Sequence, residues 1–445
     1  MPERHVHLNT FAHGSGYHEA AWRVQERDPA EVLRLASYEE IARIAERGLL
    51  DSLFLADSPG VAEFRTEFLP QSAFDPLQVM AALAAVTEHV GLIATASTTY
   101  SKPYDLARRF ASLDFLSEGR AGWNVVTTRI PGVAENFGGE PHPPHADRYA
   151  RAHEYVEVVQ KLWDGWDDDA LVGDKAAGLW ARRASLHPPA HRGERFDVAS
   201  VLGFPRSPQG HPVLVQAGAS DAGIDLAARF AELVFIGQPT IAEAVAFRAR
   251  VQRRAADFGR PSDAIRILPA LPFTLGSTDA EAKALRAELE AASSSEFRWR
   301  NLAAMTEIEP HEIDPDAPLP AALLDAGPRT SIGATVYALA RGREQTFRQL
   351  AEQFAVRPGA LDFTGTPEEL ATLIEQWWRA GAADGFTLMP MVLPRDLALF
   401  ADHVVPLLQR RGIARHEYTG RTLRDHYGLA RPRPARAASR PVAAA

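Results

Sequence analysis

The sequence predicts an α/β fold, a (β/α)8 TIM barrel with insertion segments over its C-terminal mouth. Three observations carry this prediction. Short apolar runs alternate with helical stretches along most of the chain. The runs are apolar throughout instead of alternating with polar residues, as strands covered on both faces must be. About eight of them occur, the number that closes a barrel. A length of 445 residues allows one large barrel with insertions or two ordinary domains. A doubly wound open sheet is the structural rival, and the lack of Gly-x-Gly-x-x-Gly after the first strand counts against it.

The elements follow in order. Residues 6–11 read as the first strand, followed by a loop containing Trp22 and Arg23. Ser37-x-x-Glu40 has the spacing of a capping box and predicts a helix over 38–47, stopped by Gly48. Residues 52–57 form an apolar strand ending on Asp57. Asp75-Pro76 supplies an N-cap and a first-turn proline for a helix through 85. A buried strand over 90–97 ends among hydroxyls, and a helix over 104–116 leads into the strand 119–128, which ends on Thr127-Thr128. The helix 148–163 carries Tyr155, Val159 and Leu162 on one stripe. Strands at 212–218, 233–237, 265–275 and 385–390 complete the set, with a helix at 224–230.

Two segments exceed a minimal barrel. Residues 166–210 are rich in Pro, Gly and His and are expected to cross the mouth; residues 278–358 are partly helical, capped at Thr278-x-x-Glu281. The expected organisation is therefore one domain over 1–430 and a disordered Pro-, Arg- and Ala-rich tail over 431–445.

Bulk properties narrow the function. A net charge of −9 argues against nucleic acid, whose phosphates ask for a basic face. The absence of cysteine removes disulfides, thiolate metal sites and cysteine nucleophiles. The N-terminus has no signal-peptide pattern and no apolar run reaches the length of a membrane span, so a cytoplasmic protein without membrane contact is expected.

Polar residues recur where strands end: Asp57, Thr95, Ser97, Thr127, Thr128 and Ser220. Strand ends are polar by default, but several converging on one barrel face suggest a site. Gln216-Ala217-Gly218-Ala219-Ser220 runs from a strand into a helix start, where free N–H groups bind anions; a plain Ser N-cap is the bland alternative. His145 and Tyr149 stand four apart and share a face if their helix begins early. His5 and His7 on the first strand suggest a metal hydrolase, a weak alternative because later strand ends offer hydroxyls, which are poor ligands.

The segment Gly119-Arg120-Ala121-Gly122-Trp123-Asn124-Val125-Val126-Thr127-Thr128 resembles the signature of the nitrilotriacetate monooxygenase-type flavin-dependent two-component monooxygenases, within the bacterial luciferase-like superfamily. The resemblance continues through Asn9-x-Phe11, Ala21-Trp22-Arg23, Asp75-Pro76, Ser97-Thr98-Thr99-Tyr100, Asn136-Phe137-Gly138, the stretch from His145 to Tyr149, Gln216-Ala217-Gly218 and Asp384-Gly385-Phe386. It implies an FMN-binding barrel that receives reduced flavin (FMNH2) from a separate NAD(P)H-dependent flavin reductase. With O2 as co-substrate it would oxygenate a small organic molecule through a flavin C4a-(hydro)peroxide, breaking a C–N or C–S bond. Carried across residue by residue, it implies Asp57, Thr95, Thr128, His145, Tyr149, Ala219 and Ser220 as flavin contacts, with Tyr149 and Ser220 at the phosphate. His145 is the first candidate for a catalytic acid or base. Phe11, Trp22, Phe64 and Arg129 are candidate substrate contacts, with Phe68 and Phe204 as further apolar wall, favouring an uncharged or aromatic substrate. A homo-oligomer, dimer or tetramer, is expected. The alternatives are a deazaflavin-dependent oxidoreductase on the same barrel and a non-catalytic flavin-binding protein.

Overall fold

The computed structural model describes residues 5–434, apart from 58, 61–62, 71–73, 129–130, 140, 342–343 and 354–360. Eight strands form the barrel: β1 His7–Phe11, β2 Ser52–Leu55, β3 Gly91–Ser97, β4 Ala121–Val126, β5 Val213–Gln216, β6 Leu233–Ile236, β7 Arg266–Leu275 and β8 Gly385–Pro390. Each pairs in parallel with the next, and β8 pairs with β1, which closes the ring. These are the eight runs read from the sequence, and every residue of β2, β5, β6 and β8 is buried.

Helices connect them: α1 Leu35–Arg47, α2 Pro76–Ala84, α3 Pro103–Leu116, α4 His145–Trp163, α5 Asp221–Phe230 and α6 Ile241–Asp257. Between β7 and β8 lie α7 Asp279–Ala292, α8 Ser295–Thr306, α9 Ala321–Ala326, α10 Ser331–Ala340, α11 Phe347–Gln353 and α12 Pro367–Arg379. Helices α8 to α11 bury their own cluster, including Leu302, Leu323, Val336 and Phe347. Asp75 caps α2 by accepting from the N–H groups of Leu77 and Gln78, and Thr278 caps α7 through the N–H of Glu281, as the sequence predicts. The box at Ser37 does not form. Helix α1 already begins at Leu35, the Ser37 hydroxyl donates to the carbonyl of Glu31, and Glu40 pairs with Arg27. A preceding turn competed successfully for the same hydroxyl.

The two long segments part company for a topological reason. Residues 278–358 follow a strand, so they start at the C-terminal mouth. Residues 166–210 follow α4 and precede β5, so they start and end at the opposite, N-terminal end. They pack outside α3 and α4 and do not cross the mouth as expected. Glu154 of α4 accepts from the N–H groups of Arg195 and Phe196, Arg151 lies over the Phe196 ring at 4.6 Å, and Phe204 stacks on Phe115 of α3 at 5.8 Å. The chain also stays attached past residue 430: Arg431 reaches Asp168 with a 2.6 Å contact. Residues 435–445, the rest of the expected tail, lie outside the described residues.

Inside the barrel, Phe11, Phe54, Ile93, Val215, Phe235, Leu268 and Met389 pack together, and Leu423 and Tyr427 fill the N-terminal end as a floor. Three polar side chains beside this packing pair with one another: Ser52 Oγ donates to Asn9 Oδ1 at 3.2 Å, and Asn9 Nδ2 donates to Thr387 Oγ1 at 3.3 Å. His7 sits at this N-terminal end, its Nδ1 3.2 Å from Asp51 Oδ1, so the metal reading of His5 and His7 gains nothing at the mouth. Among the described residues no group of three or more His, Cys, Asp or Glu side chains is placed to hold a metal ion, and no helix is long and apolar enough to cross a membrane.

Asp114, fully buried below β4, accepts from the N–H of Ala121 at 3.0 Å and from Gln209 Nε2 at 2.6 Å. Burial nevertheless pushes its pKa up to about 6. Between the ordinary aspartate value and 6 the folded state holds more protons than the unfolded chain. This group's contribution to stability therefore falls as pH rises through that window, by on the order of 3 kcal/mol in all. Asp114→Asn is expected to flatten that slope in urea unfolding between pH 4 and 7. An unchanged slope would show that Asp114 is ionised throughout.

Candidate active site

The C-terminal ends of the strands place two neighbouring groups of residues at the mouth. Over β1, β2 and β8 lies a cavity of about 370 Å³, lined among others by Phe11, His13, Tyr17, His18, Glu19, Trp22, Ala56, Arg65 and Met391. Its outer wall comes from the insertion: Phe297, Asn301 and Met305 of α8 and Ile332 of α10. The loop after β1 is held in place by its backbone. The N–H of Tyr17 donates to the carbonyl of Pro390 at 2.9 Å and that of His18 to Met391 at 3.2 Å. Gly16, with φ 139°, has no room for a side chain against the Met391 carbonyl, so only glycine allows this approach.

Several contacts join barrel to insertion across the cavity. Arg65 Nη2 donates to Asn301 Oδ1 at 2.6 Å, and the rings of Phe64 and Phe68 lie 6.3 and 5.7 Å from Phe297. Glu19 accepts from the Ser293 hydroxyl and lies 3.6 Å from His18 Nδ1. His18 Nε2 lies 3.7 Å from Glu290 of α7. Burial works to raise the pKa of Glu290, but the neighbouring His18 and the Arg286 guanidinium, which donates to it at 3.0 Å, hold it down at about 2. Trp22 donates its indole N–H to the carbonyl of Phe68 at 2.8 Å, which fixes its ring.

Over β3, β4 and β5 the second group is hydroxyl-rich. Thr95 and Asn124 are register partners, and Asn124 Nδ2 donates to Thr95 Oγ1 at 3.0 Å. The hydroxyls of Ser97 and Thr128 are 2.7 Å apart, and the N–H of Thr128 donates to Thr99 Oγ1 at 3.0 Å. Asn124 Oδ1 is buried and has no partner. Ser220 caps α5 by accepting from the N–H of Gly223 at 3.1 Å, while Ala217, Ala219 and Ser220 themselves stay exposed. Helix α4 begins at His145, earlier than expected, so the rings of His145 and Tyr149 do share a face, with centroids 4.8 Å apart.

The structure thus sets Thr95 against Asn124 and Thr128 against Ser97 at neighbouring strand ends, sets His145 beside Tyr149, and places Ala219 and Ser220 at the next helix start. Asp57 follows β2, two residues beyond its end. Phe11 and Trp22 line the cavity; Phe64 stands behind it, against Phe297. Phe204 stacks on Phe115 at the outside of α3, and Arg129 lies outside the described residues. His145 is exposed on the rim and is not among the cavity-lining residues. Sequence reasoning missed His13, His18, Glu19, Arg65 and Asn301. The available signal was topological: His13, His18 and Glu19 occupy the first βα loop, and such loops build barrel sites. It also missed the pair formed by Tyr100 and His142, joined at 2.7 Å on the rim.

Comparison with known proteins identifies the family. Residues 10–384 match the family described as luciferase-like monooxygenase. The chain is 44% identical over 431 residues to nitrilotriacetate monooxygenase component A of Aminobacter aminovorans, covering 94% of this chain and 95% of that one. It is 40% identical to N-acetyl-S-(2-succino)cysteine monooxygenase of Bacillus subtilis (strain 168), covering 97% and 98%. Among solved structures, riboflavin lyase with modified FMN and its substrate riboflavin superposes with a TM-score of 0.85 at 33% identity, covering 96% of each chain. A family match over residues 10–384 and relatives 40–44% identical over nearly the full length leave one conclusion: the chain belongs to the luciferase-like monooxygenase family, as a flavin-dependent monooxygenase.

Proposed function

We propose that this chain is the oxygenase component of a two-component system. It takes FMNH2 from a separate NAD(P)H-dependent flavin reductase and uses O2 to oxygenate a small organic molecule, with cleavage of a C–N or C–S bond. The observation that carries this reading is the pairing of a substrate-sized cavity with an adjoining polar face at one barrel mouth. The relatives support the rest: one is a component A, and the substrates in their names contain C–N and C–S bonds.

The residues present fit a flavin. Asn124 Oδ1, buried and unpartnered beside Thr95, asks for a donor, and the hydroxyls of Ser97 and Thr128 border the same face. The exposed start of α5, with Ala219 and Ser220, suits a phosphate, and Tyr149 of the neighbouring α4 would close that end. Asp57 and His145 complete the set that would hold the ring system and its ribityl chain. Bound there, the reduced flavin supplies the two electrons that activate O2. Phe11 and Trp22 would orient the substrate. Phe297, Asn301 and Met305 would shield it from water, the function of a lid, which assigns that part to residues 278–358 alone.

Anaerobic titration with reduced and oxidised FMN tests the reading. Reduced FMN is expected to bind at least about tenfold more tightly, a difference of about 1.4 kcal/mol, and to consume O2 on mixing. Tighter binding of the oxidised form without O2 consumption would make the protein a carrier. Binding of a reduced deazaflavin in place of FMN would make it a hydride-transfer enzyme.

A further inference from the structure

We propose that His13 is the base that breaks the C–N or C–S bond once the adjoining carbon carries oxygen. This rests on the bond cleavage proposed above, because oxygenation of such a carbon gives a carbinol, and a carbinol parts only when its hydroxyl proton leaves. The step is balanced without any redox partner. A ring nitrogen of His13 takes the O–H proton, and the C–O bond becomes C=O. The C–N or C–S pair goes to the heteroatom, which receives the same proton back from the imidazolium. His13 ends as it began, neutral.

The cavity offers few groups for this task. His145 is not among the residues that line it. His18 is enclosed: Nδ1 accepts from the N–H of Ala20 at 3.2 Å, and Glu19 and Glu290 lie on its two sides. His13 differs in position. It follows the end of β1 by two residues, its ring stacks on Phe11 at 5.7 Å and 14°, and it is exposed as one of the residues lining the cavity. The titratable groups lining the same cavity are Tyr17, His18, Glu19 and Arg65. Partial loss of hydration among the cavity walls, with help from the Arg65 charge, holds the ring below the ordinary histidine value and therefore neutral at pH 7. A neutral imidazole is an acceptor, as a base must be. The loop that carries it is pinned at Gly16, Tyr17 and His18, so the ring stands on a fixed backbone.

A stable carbinol tests this without flavin or oxygen. N-(Hydroxymethyl)benzamide, an aromatic probe for a cavity walled by Phe11, Trp22 and Phe297, releases formaldehyde by the step described. The wild-type chain is expected to accelerate that release over buffer by on the order of 10²-fold. His13→Gln should bring the rate down to that of buffer. His13→Ala should regain activity with added imidazole, with far-UV circular dichroism confirming that both variants fold. Acceleration in the wild type should fade as pH drops through the lowered pKa of His13. No acceleration by the wild type, or equal acceleration by His13→Gln, would overturn the proposal. Because the probe bypasses flavin and O2, the flavin titration and this assay fail independently.

Discussion

Replacing Arg120 by methionine is expected to destabilise the fold by about 3–5 kcal/mol, the largest effect of any single change considered. Arg120 is 3% exposed. Its Nε donates to the carbonyl of Ser117 at 2.8 Å, Nη1 to Thr87 Oγ1 at 2.8 Å and the Val90 carbonyl at 2.9 Å, and Nη2 to the carbonyls of Ala84 at 3.2 Å and Thr87 at 2.9 Å. One side chain thereby ties the end of α2 and the entry to β3 to the entry of β4. Desolvation lowers its pKa, and the field of Glu46, whose carboxylate accepts from the N–H groups of Glu88, His89 and Val90, opposes that. Methionine fills most of the volume yet leaves those acceptors buried and unpaired, each at a cost of about 1–3 kcal/mol before relaxation. Urea unfolding checks this. A loss under about 1 kcal/mol would mean that water replaces the guanidinium.

The second large effect concerns the cofactor alone. Ser220→Asp is expected to weaken FMN binding on the order of 10²-fold while leaving riboflavin binding unchanged, because like charges brought together cost several kcal/mol. Aspartate caps helices as well as serine does, so α5 and its bond to Gly223 should survive. The substitution separates two readings of one residue. If Ser220 is only a helix cap, FMN and riboflavin respond alike. If it borders the phosphate, only the phosphorylated flavin suffers. Parallel titrations of both ligands, with thermal unfolding as a control, decide between them.

How much was legible before the structure differs by element. The strands of the barrel are buried on both faces, so β5, β6 and β8 announce themselves as apolar runs bounded by polar or glycine residues. Asp75-Pro76 was equally readable, because a cap acts within one turn. The signature segment was legible in position but mixed in meaning. Arg120 and Gly119 hold the N-terminal end together, Gly119 at φ 92° with Thr422 close by. Trp123 packs outward against Phe110 and Tyr155, and only Asn124 and Thr128 reach the mouth. The Ser37 box failed because an upstream carbonyl competed for the same hydroxyl. The placement of 166–210 failed because composition does not say which end of a barrel a segment leaves from; its neighbours α4 and β5 do. His13 left no local signal, since a lone histidine between a strand and a glycine turn becomes meaningful only when α8 closes over it.

The floor of the barrel has a consequence for how the molecule is made. Tyr427 and Leu423 plug the interior from below, with the Tyr427 hydroxyl 2.8 Å from Ser52 Oγ on β2, and Arg415 joins Asp51 beside the start of that strand. The parts that seal the earliest strands thus leave the ribosome only after all eight strands have been made. Until Leu423 and Tyr427 emerge, the nascent barrel stands open at one end. A messenger truncated shortly before Leu423 would yield a chain with all eight strands and a wet, unsealed interior, a ready target for cellular proteolysis.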